Sequence, residues 1–143
     1  MYRERFRVVL DTNVVFEGLT RKAGPCAIIV DAWFAERLQV FISDALAYEY
    51  VDVLSRKLTA ERWQAIRTPL RTLMGMAEFV PIRYSWRPAS PDPGDEMVID
   101  CAMNANAAVI SSNRVGFARA ESDLGLAVLS PREFVDILHG QKR

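Results

Sequence analysis

A chain of 143 residues, half of them hydrophobic and a quarter charged, has the size and make-up of one ordinary domain with a single core and is no disordered chain. Its 18 basic and 18 acidic side chains cancel, which argues against a non-specific DNA coat but leaves room for a local basic rim. No apolar run reaches membrane-spanning length and the N-terminus lacks the apolar stretch of a signal peptide, so the expectation is a cytoplasmic protein with no membrane association.

The first element, residues 6–10, is the aliphatic and β-branched run of a short buried strand, and it ends on Asp11, Thr12 and Asn13. A carboxylate at the tip of a core strand is costly to desolvate unless it meets a cation or hydrogen-bond donors. In open α/β sheets that tip is also where ligands bind. The plainer alternative is that Asp11 and Asn13 turn the chain and cap the next helix.

A polar loop over 18–24 carries Arg21 and Lys22, and Pro25 opens a helix to about residue 37 with Ile28, Ile29, Ala32 and Trp33 on its apolar face. Residues 38–42 form a second strand, and Ser43 caps a helix from 44 to about 58. The next helix runs from 59 or 60 to 77, with Pro69 kinking or splitting it. Residues 79–82 read as an edge strand, because Pro81 cannot donate to a central ladder.

The Pro-rich residues 87–94 read as a surface loop inside the same domain. A helix from 95 to about 106 and a strand over 107–111 follow, then an irregular stretch over 112–123 with one helical turn. A last strand over 126–129 leads into a helix from Pro131 to about 138. Alternating strands and helices imply an α/β layer fold with a mostly parallel sheet, residues 1–143 making one domain.

The only histidine, His139, sits near the end of the chain, and Cys26 and Cys101 form no Cys-x-x-Cys pattern. The cysteines read as buried reduced thiols, and mechanisms that need a histidine base or a histidine-held metal are improbable. Chemistry would therefore fall to carboxylates. On the helix from Ser43, Leu46, Tyr50, Val53 and Leu54 share an apolar stripe, and Glu49 falls at its edge. The usual role of a border glutamate is an ion pair one turn away, yet Glu49 has Ala45 and Val53 four residues off and Asp52 three after. Asp95 stacks on the inward side of its helix near Val98, Ile99 and Ala102, while Glu96 and Asp100 share another edge. A plainer account makes Asp95 the N-cap and Glu96 a first-turn acid favoured by the helix dipole.

Ser111, Ser112 and Asn113 end a strand beside the tip of the first, if the two are parallel; their oxygens could bond an acid, a water or a phosphate, or simply form a turn. Several carboxylates converging without histidine or cysteine make a hard-oxygen site suited to Mg²⁺ or Mn²⁺ between protein acids and phosphate oxygens.

These residues resemble the PIN domain of VapC-type ribonucleases, in particular the branch of toxin components of toxin–antitoxin systems. The likeness covers nearly the whole chain. It rests on Val8-Val9-Leu10-Asp11-Thr12-Asn13-Val14, on Ile42-Ser43-Asp44-Ala45-Leu46 leading to Glu49 and Val53-Leu54-Ser55-Arg56, on Asp92-Pro93 with Asp95-Glu96-Met97-Val98, on the run from Ala107 to Asn113, and on Val128 to Phe134. The resemblance implies a five-stranded parallel sheet in a three-layer α/β/α sandwich and Mg²⁺-dependent (or Mn²⁺-dependent) hydrolysis of single-stranded RNA. It also implies a homodimer and often a small antitoxin partner. By position Asp11, Glu49 and Asp95 would be the catalytic acids and metal ligands, with Glu96 the substitute if the register shifts by one. Asn13, Ser112 and Asn113 would orient water or phosphate, Asp100 would add charge, and Arg21, Lys22 and Arg114 would guide the RNA backbone. The chain departs from the family at the fourth acid, for which it has Asn113 and Gly116.

That departure favours a competing reading, a PIN scaffold that holds RNA or a protein partner without cutting. An aspartyl-nucleophile phosphatase ranks last, because its Asp-x-Asp-x-Thr pattern would need an acid where Asn13 stands.

Overall fold

The computed structural model describes residues 5–140 and is built on a five-stranded, wholly parallel sheet in the order β3-β2-β1-β4-β5. The chain runs β1 (Phe6–Leu10), α1 (Thr12–Thr20), α2 (Pro25–Phe34), β2 (Leu38–Ile42), α3 (Asp44–Lys57), α4 (Ala60–Met76) and β3 (Glu78–Phe79). It continues through α5 (Pro93–Ala105), β4 (Ala108–Ile110), a 3₁₀ turn (Arg114–Phe117), α6 (Ala118–Leu124), β5 (Val128–Leu129) and α7 (Pro131–Gly140). Strands step outward from β1 to β3, then return to the other side of β1 for β4 and β5. Right-handed crossovers therefore send the helices before and after β3 to opposite faces, which produces the three layers. The resemblance had implied this sheet and this sandwich.

β1 is central because it is apolar on both faces: Val8, Val9 and Leu10 are all buried, as a doubly covered parallel strand requires. The stripe Leu46, Tyr50, Val53 and Leu54 packs α3 inward, as its spacing predicts, and each fully buried leucine contributes about 1.5–3 kcal/mol. Ser43 caps α3 by accepting from the Leu46 N–H at 3.1 Å.

Several expected boundaries differ. The chain enters α1 directly after Asp11, and that helix continues through Gly18 to Thr20, into the stretch expected to be loop. Gly18 is what lets α1 and α2 touch: a Cβ there would lie 2.3 Å from Val30 Cγ2 and 2.7 Å from the Cys26 carbonyl oxygen. α2 stops at Phe34, where Glu36 takes a positive φ of 59° to turn the chain. α4 is continuous through Pro69; its buried residues are only Leu70 and Leu73, so water can serve the carbonyl that Pro69 leaves without a donor. β3 is an edge strand but shrinks to two residues, with Val80 giving one more bond to the Ile42 carbonyl before Pro81. α5 begins at Pro93 instead of residue 95, so its cap is Asp92 and Asp95 lies within the first turn. The stretch over 112–123 holds a 3₁₀ turn and most of α6, more helix than the single turn expected. Cys26 and Cys101 are free and buried. Among the described residues no helix is long and apolar enough to cross a membrane.

Candidate functional site

The strand order reverses direction between β1 and β4, and in an open parallel sheet the crevice at such a point, beyond the carboxyl ends of the strands, is the natural place for a ligand. The two strands are in register there, Leu10 opposite Ile110, so Asp11 and Ser111 leave the sheet side by side. Asp11 is 6% exposed, and its carboxylate accepts from Ser111 Oγ at 2.7 Å and from the Thr12 N–H at 2.8 Å. It caps α1 as well, so the structural and functional readings of this residue coincide. Burial pushes the Asp11 carboxyl above its ordinary range; the bonds from Ser111 and Thr12 pull it back, and the charge of Asp92 adds to the rise.

Glu49 arrives from α3, half-buried at the edge of the stripe. Its neighbour Tyr50 is buried and donates its hydroxyl to the Leu10 carbonyl, which ties α3 to the tip of β1. Burial raises the Glu49 carboxyl, and so do the charges of Asp52, Asp92 and Asp11, while Arg56 lowers it. Asp95 comes from the first turn of α5 and is also 6% exposed. It is pushed up to about 6, first by burial and then by Asp11 and Asp92, against a hydrogen bond from Ser90. Ser90 Oγ reaches Asp95 Oδ2 at 3.3 Å and the Gly116 carbonyl oxygen at 2.9 Å, bridging the Pro-rich connection to the segment after β4.

One cavity of about 180 Å³ gathers Asp11, Glu49 and Asp95, together with Asn13, Asn113 and Asp92. Arg56 and Lys57, both exposed, form its basic rim. A larger cavity of about 290 Å³ lies beside Met103, Asn106 and Leu126, but no titratable side chain lines it, so it offers no comparable chemistry.

Among the described residues, no three histidine, cysteine, aspartate or glutamate side chains close on one point as a finished ligand set would. The donors still suit a hard divalent cation, since the acids that meet here offer only oxygen and raise one another's pKa by their charges. Gly94 lets two acids come close to the head of α5: a Cβ there would stand 3.3 Å from Glu49 Oε2 and 3.4 Å from Asp92 Oδ1. Asp11, Glu49 and Asp95 would hold a cation that keeps part of its water shell, as Mg²⁺ does, which needs fewer direct protein ligands.

Other candidates from the sequence lie elsewhere. Glu96 is buried and takes the Ala89 N–H in both carboxylate oxygens, at 3.0 and 3.1 Å. Asp100 is ion-paired with Arg87 at 2.8 Å and accepts from Ser85 Oγ at 3.1 Å. One turn further, Asn104 accepts from the N–H groups of Arg83 and Tyr84. Glu96, Asp100 and Asn104 thus form a stripe along α5 that pins the connection from β3, and neither acid lines the cavity. Arg114 is engaged by Glu121 and Glu133, at 3.2 and 3.4 Å. Ser112 is exposed, and Arg21 and Lys22 are exposed at the end of α1; none of the three lines the cavity. Ser111, read from the sequence as a strand-end oxygen able to bond an acid, does bond Asp11, whereas Asp92, Ser90, Arg56 and Lys57, at or behind the cavity, were not selected as site residues. For Arg56 and Lys57 the signal was available: both lie about two turns beyond Glu49 on α3.

Comparison with known proteins agrees with this architecture. The structure is similar to that of VapBC2 from Rickettsia felis bound to a DNA fragment from their promoter, at TM-score 0.63 and 12% identity over 87% of this chain and 98% of that one. It is also similar to FitAB bound to an IR36 DNA fragment, at TM-score 0.60 and 18% identity over 87% and 94% of the two chains. FitAcB from Neisseria gonorrhoeae gives TM-score 0.59 and 18% identity over 87% and 97%. No curated protein matches the sequence. A family model described as PIN domain matches residues 7–114, from β1 to the turn that follows β4 and so across every acid of the cavity, and the chain belongs to the PIN domain family.

Proposed function

We propose that the protein is a divalent-metal-dependent endoribonuclease, acting in the cytoplasm on single-stranded RNA as the toxin of a toxin–antitoxin pair. The observation that carries this reading is the meeting of Asp11, Glu49 and Asp95, from three distant segments, in one cavity with a basic rim. Acids that raise one another's pKa have an unmet demand for positive charge, and Arg56 and Lys57 at the rim suit a phosphate chain.

In this reading Asp11, Glu49 and Asp95 hold Mg²⁺ or Mn²⁺. The ion, when bound, supplies an activated water and neutralises charge on the phosphate and leaving oxygen. The chain does the positioning. Ser111 and the Thr12 N–H fix the Asp11 carboxylate, Ser90 fixes that of Asp95, and Tyr50 sets the distance between α3 and β1. Asn13 and Asn113 line the cavity as neutral groups able to bond water or a phosphate oxygen. The toxin role and a homodimer follow from the family resemblance, and the similarity to VapBC2 and FitAB supports a small antitoxin partner.

The test is cleavage of single-stranded RNA that needs added Mg²⁺ or Mn²⁺ and stops in EDTA. Asp11→Asn, purified as a folded protein, should lose at least about 10³-fold in rate, the scale of a removed group that stabilises the transition state. Equal cleavage by Asp11→Asn would remove the assigned site. The second reading, a PIN scaffold that binds RNA without cutting, is favoured by the open ligand set and by the lack of an acid at Asn113 and Gly116. Calorimetry separates the two: RNA binding with no affinity for Mn²⁺ selects the scaffold.

A further inference from the structure

We infer that Asp92 supplies the fourth negative charge of the cavity, from the start of α5 instead of the segment after β4. The inference rests on the metal-dependent reading above.

Position 116 is closed to a side chain. A Cβ there would lie 2.4 Å from Asp95 Oδ2 and 3.3 Å from Asn113 Nδ2, so an acid at 116 would displace the Asp95 carboxylate. Position 113 is an asparagine, whose amide cannot take a charge. The cavity would be left with three acids if no other segment contributed. Asp92 lines the same cavity, across Gly94 from Glu49. Its Oδ1 accepts from the Gly94 N–H at 2.9 Å, which fixes the side chain at the head of α5, and among the described residues no donor reaches its Oδ2. Asp92 is exposed, and Gly94 brings it near Glu49: a Cβ on Gly94 would stand 3.3 Å from Glu49 Oε2 and 3.4 Å from Asp92 Oδ1. Two carboxylates lining one cavity repel unless a cation stands near them. Independently, the charge of Asp92 acts on Asp11, Glu49 and Asp95 alike, so it is electrostatically central to the group.

The capping role does not compete with this one, because a cap uses one oxygen and asparagine caps as well as aspartate. That equivalence makes the test clean. Mn²⁺ binding is titrated by calorimetry on the metal-free wild type and on Asp92→Asn, with circular dichroism and thermal unfolding in EDTA on both. Asp92→Ser, a second good cap, serves as the control for fold. The expected result is unchanged secondary structure and a thermal midpoint no lower than wild type in both variants, with Mn²⁺ affinity reduced about tenfold or more, as for loss of a supporting group. Wild-type affinity retained within about twofold in Asp92→Asn overturns the inference and leaves the three-acid site standing. A wild type that takes up no Mn²⁺ at all overturns the metal-dependent reading itself, and this inference with it.

Discussion

Gly116 lies against the carboxylate of Asp95 so closely that a Cβ at 116 would stand 2.4 Å from Oδ2. The glycine is there for space. Asp95 is buried and bonded to Ser90, so its displacement is a loss of position more than a loss of fold. Gly116→Ala should fold, at a cost of about 1–3 kcal/mol for overpacking. Its Mn²⁺ affinity and RNA cleavage should each fall at least about tenfold. Urea denaturation and calorimetry on one preparation check both halves. A Gly116→Ala protein that binds and cuts like wild type would place Asp95 outside the chemistry.

The acids of the cavity also set how the metal-free protein responds to pH. Asp95 is raised from 3.8 to about 6, chiefly by burial, and Asp11 and Glu49 are raised too. A carboxyl with a raised folded-state pKa favours the folded state when protonated. That contribution is complete below 3.8 and is lost as pH rises through about 6. Asp95→Asn is neutral throughout, so in EDTA it should match wild type near pH 3.5 and exceed it by about 1–3 kcal/mol at neutral pH. Thermal unfolding across that range measures the difference. A gap that does not grow with pH would mean that Asp95 carries no such penalty.

Ser111 and Ser112 are adjacent, yet only one should matter to stability. Ser111 Oγ donates to Asp11 at 2.7 Å and accepts from the Asn113 N–H at 2.9 Å, with no exposure to solvent. Ser111→Ala leaves a buried carboxylate short of a donor and should cost about 1–3 kcal/mol in chemical denaturation. Ser112→Ala, at an exposed position, should stay within about 0.5 kcal/mol of wild type. Equal losses in the two variants would contradict the role given to Ser111.

The basic residues divide in the same way. Arg56 lines the cavity, and its pair with Asp52 at 3.1 Å is an exposed contact between residues four apart, worth about 0.3–0.5 kcal/mol and easily exchanged for a phosphate. Arg114 is held by both Glu121 and Glu133. Arg56→Ala should weaken binding of single-stranded RNA and reduce the salt slope of log K by about 0.7, one phosphate contact. Arg114→Ala should leave that slope unchanged. Fluorescence anisotropy at several salt concentrations compares them, and a larger effect from Arg114 would move the RNA path away from α3.

What could be read from the residues was local or periodic. Val8 to Asp11 announces a core strand with an acid at its tip, Ser43 announces a cap, and the spacing of Leu46, Tyr50, Val53 and Leu54 leaves Glu49 at the border of a buried face. What could not be read depends on the return of an irregular chain. Ser90 and Asp92 sit in a Pro-rich run with no period, and they reach the site only because that run folds back on α5. Glu96 and Asp100 look free in the sequence because their partners, the Ala89 N–H and Arg87, lie in the same run. α1 was obscured because Val14, Val15 and Phe16 resemble a strand and Gly18 resembles a turn, whereas packing against Val30 needs a glycine inside a helix.

The stripe of Glu96, Asp100 and Asn104 gives the connection from β3 a fixed length. From Asn104 to Glu96 is about 12 Å along the helix axis, while the five Cα–Cα steps from one partner, Tyr84, to the other, Ala89, can span at most about 17 Å. Removing two residues from that span leaves a chain too short to reach both anchors, so Ser90 and Asp92 would be pulled off station. Descendants of this protein can therefore vary in length between β3 and Arg83, but a deletion between Tyr84 and Ala89 erodes the cavity without touching a single acid.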